Sequence, residues 1–549
     1  MGFLVSPGVN VKEIDLTNVI PAVSTSIGAT VGAFNWGPID EIVTVGSEAD
    51  LVAQFGKPAT TNNIYEYFYD AANFLRYGNS LQVLRYSGDA GESALKNASG
   101  GDGVLVPNTA YYTANSSVVT NETNAGFFIA KYAGARGNGL KITVLTPNNF
   151  ADTDTETQAA LFTAAPGAGE LHIVIEDTEG NFNDIAGSVL ETFANVSLSS
   201  TAKKETGGSN YYVDVLYQSS AYIYAGHVLL ANDTEYTQAT ETQVTLSNGA
   251  DYSAVTKATV IADYAEFFGD GESNDANFFI GGALSSADSK TVIDTAAARK
   301  DVVAFTSVPV ANVINQTNTA TAVGNATSWA SSSNADSSYG VLTGTAVYVY
   351  DKYNDTNRWV SPAGLIAGLC CYTDDVADAW FSPAGFNRGQ LRGVSKLAYN
   401  PNNAQRDSLY KNKVNPIVSF PGQGIVLFGD KTAQSKPSAF DRINVRRLFI
   451  TIEKAIATAA KFQLFEFNDE FTRAMFRNMV EPFLREVKGR RGITDFAVIC
   501  DETNNTGNII DTNQFVADIY IKPARSINFI TLNFIATRTG IEFSEIIGE

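Results

Sequence analysis

The stretch KVNPIVSFPGQGIVLFGDKT at residues 413–432 and the stretch SAFDRINVRRLF at 438–449 decide the fold of the second half of this chain. Bulky apolar residues at 425–428 lie between glycines, which predicts a strand followed by a turn. Ser438 to Asp441 fit a capping box, which marks the start of a helix. The apolar residues that then recur at helical spacing are Val445, Leu448, Ile452, Ile456 and Ala459. Together they predict strand, turn and amphipathic helix in that order.

Further short motifs flank this stretch. They are SPGVNVKEID (6–15), GATVGAFNWGP (28–38), NDTNRW (354–359), WFSPAGFNRGQL (380–391), AYNP (398–401), LFEFNDEFTR (464–473), NNT (504–506) and IKPARSINFITLNFIATRTG (521–540). In this order they resemble the contractile-tail sheath proteins of bacteriophages, over roughly residues 1–95 and 335–549. The resemblance implies a mechanical, structural subunit, with no catalytic residue, no metal ligand and no cofactor.

Composition limits the other classes of function. A chain of 549 residues is too long for one core, so two to four domains are expected. The formal charge of −20 argues against binding to nucleic acid or to an anionic membrane, since both attract cations. No apolar run is long enough to span a membrane. The start of the chain does not read as a secretory signal, and Cys370, Cys371 and Cys500 cannot build a disulfide framework, so assembly in a cytoplasm is expected.

The fold predicted is a multidomain α/β and α+β protein, with an inner α/β domain built from N- and C-terminal segments and one or more β-rich outer domains inserted between them. Residues 47–56 show a Ser-capped helix that ends at glycine, and ELHIVIED at 170–177 alternates as a strand does. Residues 101–300 carry nine Lys/Arg against 24 Asp/Glu, which suits an exposed insertion. Residues 315–340 are expected to form a loop.

The predicted domains and their boundaries follow from these changes in composition along the chain and from the resemblance. They are an N-terminal arm at 1–20, a first core segment at 21–95, inserted outer domains at 96–257, an α/β segment with a loop at 258–340, a C-terminal inner domain at 341–525 and a C-terminal arm at 526–549.

Both ends of the chain alternate in polarity. The residues in question are Val9, Val11 and Glu13 at one end and Ile530, Leu532, Phe534, Ile541 and Phe543 at the other. Twenty extended residues at roughly 3.3 Å each reach about 65 Å, far enough to cross to another subunit. Alternation alone favours the simpler interpretation that each end completes the sheet of its own domain. The sheath resemblance implies instead that both ends add strands to neighbouring copies.

A local excess of positive charge marks residues 436–491, with 12 Lys/Arg against seven Asp/Glu. Helical spacing places Arg473, Arg477, Arg485 and Lys488 on one side of a predicted helix that Asn468 would cap and Pro482 would kink or split. The opposite, apolar side is predicted to contain Phe471, Met475, Met479, Phe483 and Val487. A solvated charged face explains this pattern as well. The resemblance implies that the four basic residues contact the tail tube.

Three cations, Arg442, Arg446 and Arg447, precede or begin the previous helix, where the helix dipole opposes them. Buried or intersubunit ion pairs are therefore expected, with tube contact as the alternative.

Two features that suggest catalysis have simpler explanations. Gly424 to Thr432 nearly spells a phosphate-binding loop, but its centre is bulky and Asp430 would repel phosphate, so a strand and turn are predicted. The two histidines, His172 and His227, lie in strand-like stretches and are expected to be core or surface residues.

The sequence is therefore interpreted as a tail sheath subunit of a virion, assembled in the host cytoplasm. The resemblance implies homo-oligomeric hexameric rings stacked around a tail tube, arms linking neighbours, and contacts with baseplate and tail terminator proteins. It also implies that energy stored in an extended lattice is released on contraction. Neither nucleic acid nor membrane is an expected partner. The alternatives are an acidic bacterial surface-layer protein and a nucleotide-binding enzyme.

Overall fold

The computed structural model describes residues 24–60, 63–88, 95–99, 101–115, 126–152, 154–226, 243–253, 255–528 and 530–532. The strands are β1 Gly28–Gly32, β2 Ile42–Val45, β3 Leu81–Arg85, β4 Phe128–Ala130, β5 Leu140–Leu145, β6 Glu170–Asp177, β7 Ser188–Ser197, β8 Ile223–Ala225, β9 Gln243–Thr245, β10 Phe278–Ala283, β11 Val303–Ser307, β12 Gly340–Thr343, β13 Val347–Asp351, β14 Thr356–Val360, β15 Val394–Leu397, β16 Val414–Asn415, β17 Ile417–Phe420, β18 Gly424–Leu427, β19 Ile493–Ile499 and β20 Asp518–Pro523. The helices are α1 Glu48–Phe55, α2 Tyr65–Leu75, α3 Thr109–Ala114, α4 Glu156–Ala159, α5 Tyr212–Ser219, α6 Lys257–Phe268, α7 Ser286–Arg299, α8 Thr319–Ser333, α9 Ala363–Val376, α10 Asn403–Lys411, α11 Ile443–Ala460, α12 Glu470–Gly489 and α13 Gly507–Asp511.

The chain divides into two compact units. The large body is residues 20–462, and the small body is residues 463–549 together with 1–19, of which the structure describes 463–528 and 530–532.

A seven-stranded sheet organises the large body, in the order β16-β12-β11-β10-β1-β3-β2. All neighbouring strands are parallel except β2, which runs antiparallel to β3. The interior strand β1 is buried along its whole length, as expected for a parallel strand covered on both faces. Its partner β10 is distant in sequence, since Gly28 lies opposite Phe278. The prediction of a mixed α/β multidomain fold with a core made from discontinuous segments is confirmed.

Local signals in the first core segment are confirmed in detail. The hydroxyl of Ser47 accepts a hydrogen bond from the backbone N–H of Asp50, which caps α1, and Gly56 ends the helix with a φ of +83°. Helix α2 buries Phe68, Ala71, Ala72 and Phe74 and packs against α9. Strand β3 follows at Leu81–Arg85.

The insertion in the large body is β-rich, as predicted. Strands β7-β6-β5-β9 form an antiparallel sheet with its own core, β4 pairs with β8, and β6 coincides with the predicted strand at 170–177. The buried guanidinium of Arg85 lies where this insertion begins and ends: it donates hydrogen bonds to the carbonyls of Gly37 and Ala133, each at 2.8 Å, and to the hydroxyl of Tyr252 at 3.3 Å. The sequence analysis did not single out Arg85.

The loop predicted for residues 315–340 is wrong, because most of it forms helix α8. Asn318 caps this helix by accepting from the N–H of Thr321 at 2.9 Å, and Trp329 anchors it by donating to the carbonyl of Leu284 at 2.9 Å. The buried face also contains Ala322, Ala326 and Ala330. Small apolar residues among Ser and Thr give a weak periodic signal, although alanine strongly favours the helix.

The capping box predicted at Ser438 does not cap the long helix. The hydroxyl of Ser438 accepts from the N–H of Phe440 in a short 3₁₀ turn at Ala439–Asp441, and α11 begins only at Ile443 with Arg442 in the cap position. The predicted apolar stripe from Val445 to Ala459 is buried and is confirmed. Backbone pairing at Thr432 and Asp430 with 441–443 separates the turn from the helix.

The three cysteines are buried as free thiols, in line with the expectation that they do not build a disulfide framework. Burial raises the pKa of Cys370 to about 12, so its thiol stays protonated. Among the described residues no helix is both long and apolar enough to cross a membrane.

Candidate interaction surfaces

Helix α12 of the small body is capped one residue later than predicted. The carboxylate of Asp469 accepts from the N–H of Thr472 at 2.8 Å, and this hydrogen bond lowers the pKa of Asp469. Asn468, the predicted cap, instead donates to the side chain of Asn505 and to the carbonyl of Gln514. It therefore fastens the 505–514 loop to the start of the helix. The helix continues through Pro482 to Gly489.

Arg473, the first of the four predicted tube contacts, does not face outward, so this part of the prediction is wrong. Only 6% of Arg473 is exposed, and its guanidinium donates to the side-chain oxygen of Asn468 at 2.9 Å. The predicted apolar row also fails at its start, since Phe471 is 70% exposed. The buried face is instead centred on Phe476, Val480 and Leu484.

The geometry of the helix explains this error. Residues four apart advance by about 400° at 3.6 residues per turn, so each step drifts by about 40°. A row of five residues from 471 to 487 therefore spreads over about 160° and cannot lie on one narrow face.

The other three basic residues are more accessible. Arg485 and Lys488 are exposed, and Arg477 is half-buried. Lys488 donates to Asp495 at 3.1 Å, which lowers the pKa of that carboxyl, and Arg485 lies 3.9 Å from Glu481. These surface ion pairs are weak and are easily exchanged for partners on another protein. Tube contact by these residues stays a prediction.

The described part of the C-terminal end is exposed and has no regular secondary structure. Strand β20 ends at Pro523, and Ile530 and Leu532 beyond it have no secondary structure and are 77% and 71% exposed. The sheet that precedes them contains only β19 and β20 among the described residues. The remaining arm candidates, Val9, Val11, Glu13, Phe534, Ile541 and Phe543, lie outside the described residues.

A second group of exposed apolar side chains was missed by the sequence analysis. Leu464, Phe465, Phe467 and Phe471 are all exposed and lie within eight residues at the start of the small body. Large apolar groups in water are typical of surfaces that bind other proteins. Their exposure could have been suspected from the sequence LFEFNDEFTR, in which these apolar residues are interspersed with Glu466, Asp469 and Glu470.

The three arginines of the large body have different partners. Arg447 forms a buried ion pair with Asp374 at 2.6 Å, as expected, and Arg442 lies 3.8 Å from both Asp430 and Asp441. Arg446 differs from the expectation: its guanidinium lies over the rings of Tyr339 and Phe440 and donates to the hydroxyls of Ser338 and Tyr339.

The near phosphate-binding loop is a strand and turn, as predicted. Strand β18 ends at Leu427, Asp430 is buried and accepts from the hydroxyl of Ser382, and the ammonium of Lys431 donates to the carbonyl of Tyr410 at 2.9 Å. His172 is a buried histidine that stacks on Phe162, while His227 lies outside the described residues. In the part of the chain that the structure describes, no three His, Cys, Asp or Glu residues are grouped to hold a metal ion.

These surfaces are sheet edges and exposed side chains, which is the arrangement of a structural protein that associates with other chains. Three family profiles match the sequence: the phage tail sheath C-terminal domain at residues 435–537, the phage tail sheath protein central domain at 248–433, and the N-terminal region of tail sheath protein Gp18 domain III at 25–85. The alignment with the tail sheath protein of Vibrio phage KVP40 is 681 residues long, with 34% identity. It covers 99% of this chain and 100% of that protein. The chain belongs to the phage tail sheath protein family.

Solved sheath structures share the fold. The sheath tail protein of Listeria innocua superposes with a TM-score of 0.54 at 13% identity, over 92% of this chain and 96% of that one. The helical sheath of the anti-feeding prophage, solved in its contracted state, superposes with a TM-score of 0.51 at 14% identity, over 97% and 100%. As a tail sheath protein, this chain is a structural component of a contractile tail, and its relatives point away from an enzyme. The surface-layer alternative is not retained.

Proposed function

We propose that this chain polymerises into stacked six-membered rings around a tail tube, linked by arms at residues 1–20 and 526–549. The extended lattice stores energy during assembly, and contraction releases it and drives the tube through the host envelope. Rigid subunits that switch between two packings suffice for this transition. The baseplate and the tail terminator bind the two ends of the sheath, and the particle assembles in the host cytoplasm. The helical, contracted sheath of the anti-feeding prophage supports this proposal.

The division of the chain in this proposal is that predicted from the sequence. The insertion at 96–257 faces outward, and the core segments at 21–95 and 258–340 support it. Residues 341–525 provide the surface nearest the tube.

One observation carries the proposal most directly: a short two-stranded sheet is followed by an exposed segment without secondary structure that has apolar residues at alternate positions. Strand addition to a neighbour would bury Ile530 and Leu532 and satisfy their backbone groups at a sheet edge. The exposed side chains at 464–471 support association through the same body.

Replacement of Ile530 and Leu532 by asparagine is expected to block polymerisation. Burial of two such side chains contributes roughly 3 kcal/mol or more, so the concentration needed for assembly should rise at least about 100-fold. Sedimentation velocity and negative-stain microscopy measure this change. Thr531→Asn is the matched control, because alternation places its side chain on the opposite face. Intact sheaths from a chain that lacks residues 1–20 and 526–549 would contradict the proposal.

Charge reversal at Arg485 and Lys488 tests the tube contact. The double variant Arg485→Glu, Lys488→Glu is expected to polymerise normally alone but to co-sediment less with tail tubes, most clearly at low salt. Arg490→Glu is the control, because Arg490 belongs to the same helix end and pairs with Glu486. Arg473 is unsuitable for this test, since its burial would make a reversal destabilise the small body. Equal tube binding by the double variant and the control would reject the contact.

A further inference from the structure

Residues 25–27, which precede β1, are fixed one after another to distant parts of the large body. The hydroxyl of Thr25 donates to the carboxylate of Asp374 at 2.8 Å. The thiol of Cys371 contacts the carbonyl of Ser26 at 3.4 Å, and Ile27 exchanges hydrogen bonds with Asn277 at 3.1 Å and 2.8 Å. The chain is therefore held before it enters the sheet.

The strongest of these attachments is a set of three residues, Thr25, Asp374 and Arg447, which we call the Thr25 clasp. The guanidinium of Arg447 donates to both oxygens of Asp374, at 2.7 and 2.6 Å, and lies 3.4 Å from the carbonyl oxygen of Thr25. Its other terminal nitrogen donates to the carbonyl of Cys370 at 3.3 Å. The clasp thus joins the chain before β1 to helix α9 through Asp374 and to helix α11 through Arg447.

Stability alone is a weak explanation for this ion pair. The side chains of Arg447 and Asp374 are only 4% and 9% exposed, so forming the pair removes two charges from water. Burial by itself lowers the pKa of Arg447, but the carboxylate of Asp374, together with the neighbouring Cys370 and Cys371, raises it above its ordinary value. Replacing such a pair by apolar residues of similar volume is often neutral for folding. Apolar residues, however, cannot form the directional, charge-assisted hydrogen bonds that Asp374 and Arg447 make with the hydroxyl and the carbonyl of Thr25.

The position of the clasp determines where a pulling force on the N-terminal arm would act. Strand β1 is an interior strand of the sheet and lies between β10 and β3, and the proposed N-terminal arm at residues 1–20 lies upstream of it in the chain. Without the clasp, a pull on that arm would act first on the weaker contacts of Ser26 and Ile27, and then directly on the hydrogen bonds of β1. With the clasp, the pull passes first into two helices.

We propose that the Thr25 clasp is the anchor of the N-terminal arm, through which tension from a neighbouring copy enters α9 and α11 before it reaches the central sheet. Thr25, Asp374 and Arg447 are positioning residues for the link between subunits. The inference rests on the proposed function of the N-terminal arm.

The test is the double variant Arg447→Met, Asp374→Leu, which keeps the core apolar and filled but removes the hold on Thr25. The monomer is expected to keep its unfolding midpoint in urea, while backbone amides of residues 26–27 exchange hydrogen at least tenfold faster. Its sheaths are expected to assemble and then to break into shorter pieces than wild-type sheaths under the same sonication.

The matched control is Arg358→Met, Asp351→Leu, which removes another largely buried ion pair of the large body, with a 2.6 Å contact, that does not touch residues 25–27. Its sheaths should keep the wild-type length. Thr25→Val provides a milder variant, which removes one hydroxyl and should shorten the pieces less than the double variant does.

Wild-type fragment lengths for the double variant, or equal shortening in the control, would overturn the anchor. A chain lacking residues 1–20 separates the two proposals. If that chain builds sheaths of full strength, the arm function itself is rejected. If it fails to build sheaths while the double variant is as robust as wild type, the clasp alone is rejected.

Discussion

Asp374→Ala is expected to destabilise the large body by about 3–5 kcal/mol, because it leaves the buried guanidinium of Arg447 without its carboxylate. The loss includes the contacts of one guanidinium nitrogen with both oxygens of Asp374, at 2.7 and 2.6 Å, and the acceptor of the Thr25 hydroxyl. The remaining partners of Arg447 are carbonyl oxygens, which do not neutralise a buried charge. Urea unfolding, followed by fluorescence, measures the change.

The neighbouring carboxylate provides the control for this prediction. Asp375 is exposed on the same helix, so Asp375→Ala should change the free energy of unfolding by no more than about 0.5 kcal/mol. The double replacement Arg447→Met, Asp374→Leu should recover most of the stability that Asp374→Ala loses, because no charge then stays unpaired. A small effect of Asp374→Ala would show that water reaches Arg447.

Gly364→Ala is expected to be the other strongly destabilising change, by about 1–3 kcal/mol or more. A methyl group at this position in α9 would lie 2.1 Å from the carbonyl oxygen of Asp70 in α2. The obstacle is backbone, so no side chain can rotate to make room, and the two helices would have to separate. Thermal unfolding of the purified monomer would show the loss as a lower Tm.

Helix α8 offers the matched control for the glycine prediction. Gly324 is exposed within that helix, and a methyl group there would meet nothing within 4 Å. Gly324→Ala should therefore stabilise the protein by about 0.5–1 kcal/mol, as alanine does inside an exposed helix. If both alanine variants shifted the Tm in the same direction, close packing of α9 on α2 would not explain the result.

Elements with strong local signals could be predicted from the sequence. Helix α1 has a serine cap, two leading carboxylates and a terminal glycine, and β6 alternates along its whole length. Both were found at their observed positions because the signals lie within a few residues of each other. Helix α8 was missed because half of its buried residues are alanines, which contribute little to a hydrophobic pattern.

The candidate surfaces were predictable only in part. The sequence located a cluster of arginines and lysines on α12. Which of them face water depends on the direction in which the helix turns its buried side, and the sequence did not determine that direction. Arg473 lies only four residues before Arg477, yet the two differ in burial. The guanidinium of Arg473 donates to Asn468, which itself is hydrogen-bonded to Asn505 and Gln514. The aromatic residues at 464–471 are of a type that is usually buried, so residue type alone predicts a place in the core. Only the three-dimensional structure shows that they are exposed.

The sequence by itself determined the membership of this chain in the tail sheath family, the character of its main segments and the alternating pattern of its ends. These properties depend on residue type and short spacing. Only the tertiary structure decided that β1 pairs with β10 and that Thr25 meets Asp374 and Arg447, which lie 349 and 422 residues further along the chain. The reason is physical: a contact over such separations carries no local pattern, and it forms only because the parallel sheet brings the base of β1 against α9 and α11.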